Sequence, residues 1–141
     1  MARELAMANV PTEVRLHRKS RLLSLVYSDG TRYELSCELL RVQSPSAEVR
    51  GHGESERILQ VGKKYVNITE VEAVGNYALR FTFDDGHDSG IYSWDYLGDL
   101  GHNQSRYWQA YLEEIEKAGA SRLPTIPIGQ WRPPERSPSN D

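Results

Sequence analysis

"YALRFTFDDGHDSGIYSWDYL", residues 77–97, reads as a strand, a turn and a second strand that runs into a helix. The β-prone run through Phe81 and Phe83 meets Asp85-Gly86, a dipeptide that favours the left-handed dihedrals of a tight hairpin turn. Ser93 then stands at an N-cap position, with Asp95 in the first helical turn, where a carboxylate suits the helix dipole. A two-residue turn at Asp85-Gly86 sets Asp84 opposite His87, Phe83 opposite Asp88 and Phe81 opposite Gly90, so that the Phe81 ring covers the bare glycine backbone. On this register Asp84 and His87 form a polar pair at a hairpin tip, and the carboxylate favours the imidazolium form. His87→Ala is then expected to leave folding nearly intact, whereas Gly90→Val is expected to cost on the order of 1 kcal/mol or more.

Residues 22–40, "LLSLVYSDGTRYELSCELL", follow the same plan. Asp29-Gly30 corresponds to Asp85-Gly86, Ser36 to Ser93, Glu38 to Asp95 and Leu40 to Leu97, and the second unit has one extra residue after its turn. Two such units in tandem predict an α+β, two-layer fold: a mostly antiparallel sheet from two β-hairpins, with short helices and one longer C-terminal helix. That helix is expected over about residues 104–118, where Trp108, Tyr111, Leu112 and Ile115 recur at helical spacing between a capping Asn103 and a terminating Gly119. The imperfect alternation of "YVNITEVEAV", residues 65–74, adds a half-buried strand that Gly75-Asn76 turns into the strand at 77–84.

A chain of 141 residues is sized for one domain. Its expected limits are a flexible N-terminus over 1–11, the domain over 12–119, and a disordered tail over 120–141, where five of the seven prolines gather and Trp131 is the one residue suited to docking. A net charge of −3 and a pI near 5.8 argue against nucleic acid as a partner. The local basic run "RLHRKSR", Arg15 to Arg21, fits the solvated face of an edge strand. A single cysteine, Cys37, excludes an internal disulfide and the multi-cysteine zinc patterns, and it is expected to be structural. With no membrane-length apolar run, the expectation is a cytoplasmic protein that has no membrane partner.

"DDGHDSGIYSWDYL", residues 84–97, together with "LLRVQSPSAEVRGHG", residues 39–53, resembles the gamma-butyrobetaine hydroxylase-like N-terminal domain family, a domain of unknown function. The resemblance covers roughly Glu13 to Leu100, with Asp85, His87, Gly90 and Trp94 in its signature. In the hydroxylases, the resemblance implies, this domain holds a structural zinc through three cysteines and one histidine. His87 matches the histidine, but Ser44, Ser46 and Val49 stand where the cysteines would, and serine and valine do not replace thiolates at a tetrahedral site. The expectation is that the family zinc is lost and no cofactor is bound. The resemblance also extends to stand-alone bacterial proteins and to a domain appended to chloroplast P-loop ATPases that carry iron–sulphur clusters, which implies an accessory part in metal or cluster handling.

No catalytic constellation stands out. The expected function is a non-enzymatic accessory or protein-interaction domain, with Asp85, His87, Asp88 and Trp94 as candidate binding residues and an unidentified protein as partner. The aromatics Tyr92, Trp94, Tyr96, Trp108 and Tyr111 serve either as a docking patch or as filling between sheet and helix. The alternative is a metal-binding protein or small iron enzyme: His52-Gly53-Glu54 has the H-x-E form of a facial triad that His87 or His102 would complete. A weaker variant is a surface metal site made by His87 with Asp84, Asp85 or Asp88. "VGKKYVN" lacks the first glycine of a phosphate loop, and Asn67-Ile68-Thr69 matches a glycosylation acceptor that has no meaning in the cytoplasm.

Overall fold

Each of the two sequence units builds its own sheet. The computed structural model describes residues 10–50 and 57–125. The first sheet joins β1 (Glu13–His17), β2 (Leu22–Val26) and β3 (Arg32–Ser36), and the second joins β4 (Ile68–Val74), β5 (Ala78–Phe83) and β6 (Ile91–Ser93), every neighbouring pair antiparallel. Four helices complete the described residues: α1 (Cys37–Val42), α2 (Ala47–Arg50), α3 (Trp94–His102) and α4 (Gln104–Lys117). The α+β, antiparallel architecture is the expected one. The strands divide between two sheets because each hairpin pairs with the segment just before it, β1 or β4.

The turns differ from the expected two-residue form. Phe83 N–H donates to the His87 carbonyl at 2.9 Å and Gly86 N–H to the Phe83 carbonyl at 3.0 Å, which closes a three-residue loop, Asp84-Asp85-Gly86, with Gly86 at φ 92°. His87 therefore faces Phe83, not Asp84. The first hairpin closes identically: Tyr27 bonds Thr31, Gly30 bonds Tyr27, and Gly30 sits at φ 93°. There the ladder runs on without a break from Val26↔Arg32 to Leu22↔Ser36. In the second hairpin it resumes only at Arg80↔Ile91, so Asp88, Ser89 and Gly90 stand against two residues, Phe81 and Thr82. The extra residue seen in the sequence is thus a bulge between turn and ladder.

Both predicted serine caps form: Ser36 Oγ accepts from Leu39 N at 3.0 Å and Ser93 Oγ from Tyr96 N at 3.1 Å. Asn103 makes no side-chain cap; its amide donates to Asp99 Oδ1 at 2.7 Å and ties the end of α3 to the start of α4. Gly119, at φ +64°, ends α4. Of the helical stripe, Tyr111 and Ile115 are buried, while Trp108 and Leu112 pack half-buried against the same core. That core is continuous across both sheets, from Leu23, Leu25 and Leu35 through Ile68, Phe81 and Phe83 to Tyr92, Leu97 and Leu100. Cys37 lies within it, fully buried, its thiol pushed up to about 11 chiefly by burial.

The domain runs past the expected boundary at 119. Gly62 N–H donates to the Ser121 carbonyl and Lys64 N–H to the Arg122 carbonyl. The Arg122 guanidinium grips Glu38 with two hydrogen bonds, 2.8 and 2.7 Å, and lies 5.1 Å over the Trp108 ring. Glu38 was expected only to complement the helix dipole; it is 5% exposed and also accepts from Tyr111 Oη at 2.6 Å. Composition grouped residues 120–125 with the proline-rich tail because their partners lie far back along the chain. Trp131 lies outside the described residues. A chain ending at 119 leaves a buried carboxylate without its cation, and is expected to lose on the order of 2–4 kcal/mol relative to one ending at 125, measured by urea unfolding.

Candidate functional site

The family-signature residues meet where the second hairpin packs on the α1–α2 connection. His87 follows the turn, and the close of the loop at Phe83 turns its side chain inward, where it is 3% exposed. Its Nε2 lies 2.8 Å from Ser44 Oγ and its Nδ1 3.1 Å from Glu48 Oε1. Facing a carboxylate, Nδ1 carries the proton and donates; Nε2 then accepts from the Ser44 hydroxyl, an arrangement only a neutral imidazole can make. Ser46 Oγ pairs with Ser89 Oγ at 2.7 Å and accepts from Glu48 N at 3.1 Å, fixing α2 against the bulge. Gly90 passes so close that a Cβ there would collide with Ser44 Oγ and press on Pro45 and Tyr92.

A second cluster surrounds Asp85. Its Oδ1 accepts the His87 amide at 3.1 Å, and its Oδ2 takes Arg41 Nε at 2.8 Å and Lys63 Nζ at 2.6 Å. Burial would raise this carboxyl, but the Lys63, His87-amide and Arg41 hydrogen bonds outweigh it and hold the group at about 2. His87 is shifted below the ordinary histidine range, first by burial and then by the Arg41 charge, against the opposing pull of Glu48 and Asp85. The imidazolium expected from an Asp84 pair is therefore not the favoured form. Asp84 Oδ1 instead accepts from Asn67 N at 3.1 Å, and Asn67 reaches Arg18, Cys37 and its own neighbour Ile68.

Of the four candidate binding residues, Asp85 and His87 come together. Asp88 is exposed on the bulge, and Trp94 sits at the other end of β5, its Nε1 donating to the Asn76 carbonyl at 2.9 Å. His102 ends α3 in a different cleft. His52 and Glu54 lie outside the described residues. Sequence reading missed Arg41, Glu48, Lys63 and Asn67; of these, only Glu48 had a local signal, being the carboxylate that follows Ser44 and Ser46.

The signature decides the family. The sequence profile of the gamma-butyrobetaine hydroxylase-like, N-terminal family matches residues 14–98. The chain belongs to this family. Two proteins solved in solution by NMR are 45% and 52% identical to it, covering 86% and 82% of the chain and 96% and 86% of their own, with TM-scores of 0.72 and 0.69. A crystal structure of a protein with unknown function of the DUF971 family, from Acidithiobacillus ferrooxidans, is 36% identical over 67% of the chain and 94% of its own, with a TM-score of 0.56. A comparison with curated proteins finds no match.

Ser44, Ser46 and Val49, the positions at which the resemblance expects cysteines, lie beside His87. Ser44 and Ser46 point their hydroxyls into the network around His87, and Val49, 1% exposed, packs beside them without a donor atom. These residues do not fit zinc: two neutral hydroxyls and an isopropyl group supply none of the thiolates the ion takes. Among the described residues no three His, Cys, Asp or Glu side chains are placed to share a metal ion, which includes the surface site considered for His87 with the neighbouring aspartates. The order hydroxyl, imidazole, carboxylate is that of a serine relay. Ser44, however, is 1% exposed and roofed by Gly90, which leaves a substrate carbonyl no approach.

Burial reverses the mutational expectation for His87. His87→Ala removes a buried ring and leaves the Ser44 hydroxyl without its acceptor, and is expected to cost about 2–3 kcal/mol in urea unfolding, not the near-zero value of a hairpin-tip residue. The pH dependence follows from the direction of the shifts. Because the folded pKa of His87 lies below its ordinary 6.5, the unfolded chain takes up the proton first; the contribution is complete above 6.5 and is lost as pH falls through the lower folded value. Asp85 adds a second loss between 3.8 and about 2. Thermal melts from pH 7 downward should fall first in the histidine window, and His87→Gln should flatten that step while sparing the lower one.

Proposed function

We propose that this chain is a non-enzymatic accessory domain that acts by binding another protein in the cytoplasm, and, following the resemblance, that its partner belongs to iron–sulphur or metal handling. The observation that carries the reading is that the signature residues are consumed in holding the fold: both His87 nitrogens have partners, Asp85 is held by two cations, and Ser44 is closed over. His87 and Ser44 are closed off from solvent, and the partly exposed Asp85 is already engaged by two cations.

A second feature supports the interaction side. The segment 61–65 runs against 121–124 through the Gly62–Ser121 and Lys64–Arg122 bonds. These paired segments carry Val61, Tyr65 and Leu123, each roughly half exposed, and Ile58 stands close by in sequence at 50%. Exposed large apolar side chains grouped on adjoining segments suit a protein surface better than water. Of the five aromatics considered for that role, Tyr92 and Tyr111 are buried, Tyr92 bonded to the Leu40 carbonyl, while Trp94, Tyr96 and Trp108 pack half-buried against the core.

The metal-binding alternative predicts iron or zinc near one equivalent in tag-free protein purified without oxygen. The accessory reading expects sub-stoichiometric metal by elemental analysis, unchanged after supplementation, and unchanged melting on chelation. It also expects that Tyr65→Glu with Leu123→Glu, at an unaltered melting temperature, removes proteins that co-purify with the wild type from its own cells. Stoichiometric metal, or co-purification indifferent to both changes, would count against it.

A further inference from the structure

The basic run Arg15 to Arg21 leaves its cations in two different states. Arg15, on β1, answers Glu13, much as Arg32 answers Glu34 on its own strand and Arg80 answers Glu72 on the neighbouring one. The rest of the run, Arg18 to Arg21, is the turn between β1 and β2, and it lies against residues 65–67. Asn67 Nδ2 donates to the Arg18 carbonyl at 3.0 Å, and Arg21 Nε to the Tyr65 carbonyl at 3.2 Å. Arg18, Lys19, Arg21 and Lys64 are exposed, and none of them is in a salt bridge among the described residues. Held through Nε alone, Arg21 keeps both Nη groups without a hydrogen-bond partner among the described residues. A guanidinium fixed in this way presents a fork that suits a carboxylate.

These cations border apolar surface. Arg21 lies 6.0 Å and Lys64 5.5 Å from the centre of the half-exposed Tyr65 ring. Tyr65 lines a small cleft of about 190 Å³ with Gly62, Val66 and Pro124, and the exposed Val61 and Leu123 are the chain neighbours of Gly62 and Pro124. The cleft also touches Lys63, Asp84 and Asp85. Asp85 is neutralised by Lys63 and Arg41, and Asp84 accepts the Asn67 amide, so Lys64 and the turn cations outweigh the one cleft carboxylate without a cation. In a chain of net charge −3 this face is a local reversal of sign around an apolar hollow. Complementary charge selects a partner and speeds its arrival, and the apolar contact holds it.

On the reading that this chain acts by binding another protein, we propose that its partner presents an acidic segment to this face. One apolar side chain of that segment enters the cleft beside Tyr65, and flanking carboxylates meet Arg21, Lys64 and the turn at residues 18–19. A nucleic acid would meet the cations but gain nothing from Val61 and Leu123, and the net negative charge of the chain repels it. The chain's own residues 126–141 carry Arg132 and Arg136 against Glu135 and Asp141, and so bring no excess of acidic side chains.

The test is fluorescence anisotropy of a short labelled peptide, phenylalanine and leucine flanked by glutamates, titrated with the full chain. Saturable binding is expected, weakening about tenfold as salt rises from about 50 to about 500 mM. Lys19→Glu with Lys64→Glu should weaken it about tenfold at an unchanged melting temperature, since both side chains are exposed and Lys64 serves the fold through its backbone N–H. No binding, binding indifferent to that pair of changes, or equal binding of the same peptide with lysines for glutamates would overturn the proposal. Three competitors overturn it as well: tighter binding of an oligothymidylate points to nucleic acid, self-association in sedimentation that Lys64→Glu abolishes points to a second copy, and Trp131→Ala shifting the Val61, Tyr65 and Leu123 amides of the free chain points to its own tail. The two readings fail separately. If the co-purifying proteins are lost with Tyr65→Glu and Leu123→Glu but kept with Lys19→Glu and Lys64→Glu, the docking surface stands and the acidic partner falls.

Discussion

A helix of six residues in which every residue is out of water cannot leave its polar groups to the solvent, and that is the condition α1 imposes on the rest of the molecule. Its two charged residues need buried partners: Glu38 draws in Tyr111 and Arg122, and Arg41 draws in Asp85. Its carbonyls need donors: Tyr92 reaches Leu40, Tyr96 reaches Gln43, and Arg57 reaches Val42. These partners come from the second hairpin, from α3 and α4, and from both ends of the segment between residues 57 and 122. Satisfying one short helix thereby fixes where nearly every other element must lie.

The repeated hairpin gives this arrangement its asymmetry. Both units close the same three-residue loop and begin the next helix at a serine cap, yet only the second inserts a residue between turn and ladder. That bulge places Ser89 and Gly90 against the α1–α2 connection and lets His87 turn inward beneath it. The neutral imidazole and its two hydrogen bonds join the second hairpin to the α1–α2 connection and to α2. A hydrogen-bonded clasp of this kind is sensitive to acid, since only the neutral ring can accept from Ser44.

What could be read from the sequence was what depends on near neighbours. The two glycine turns, the Ser36 and Ser93 caps, the stripe of α4 and the family signature are all encoded within a few residues of one another, and each appears in the structure. The loop length of the second hairpin was misread because Asp85-Gly86 favours positive φ in both two- and three-residue loops, and the register that separates them depends on the bulge. His87 looked exposed because it stands beside a turn, whereas its burial is decided by Ser44 and Glu48, some forty residues earlier. Glu38, Arg41 and Asn67 were unreadable for the same reason: their partners Arg122, Asp85 and Asp84 are distant in sequence, and a lone charge in a short amphipathic segment reads as surface.

The two turns share one local geometry and put it to different use. An aspartate at this loop position spends one carboxylate oxygen on the amide two residues ahead, which aims the other outward. In the second turn the outward oxygen meets Arg41, which the buried α1 brings to it, and Lys63; the interaction becomes part of the fold. In the first turn the facing element is α3, whose Asp95, Gly98 and Asp99 line a cleft beside Asp29. The same local geometry is therefore bound into the fold by two cations in the second turn, whereas in the first the outer oxygen has no hydrogen-bond partner among the described residues.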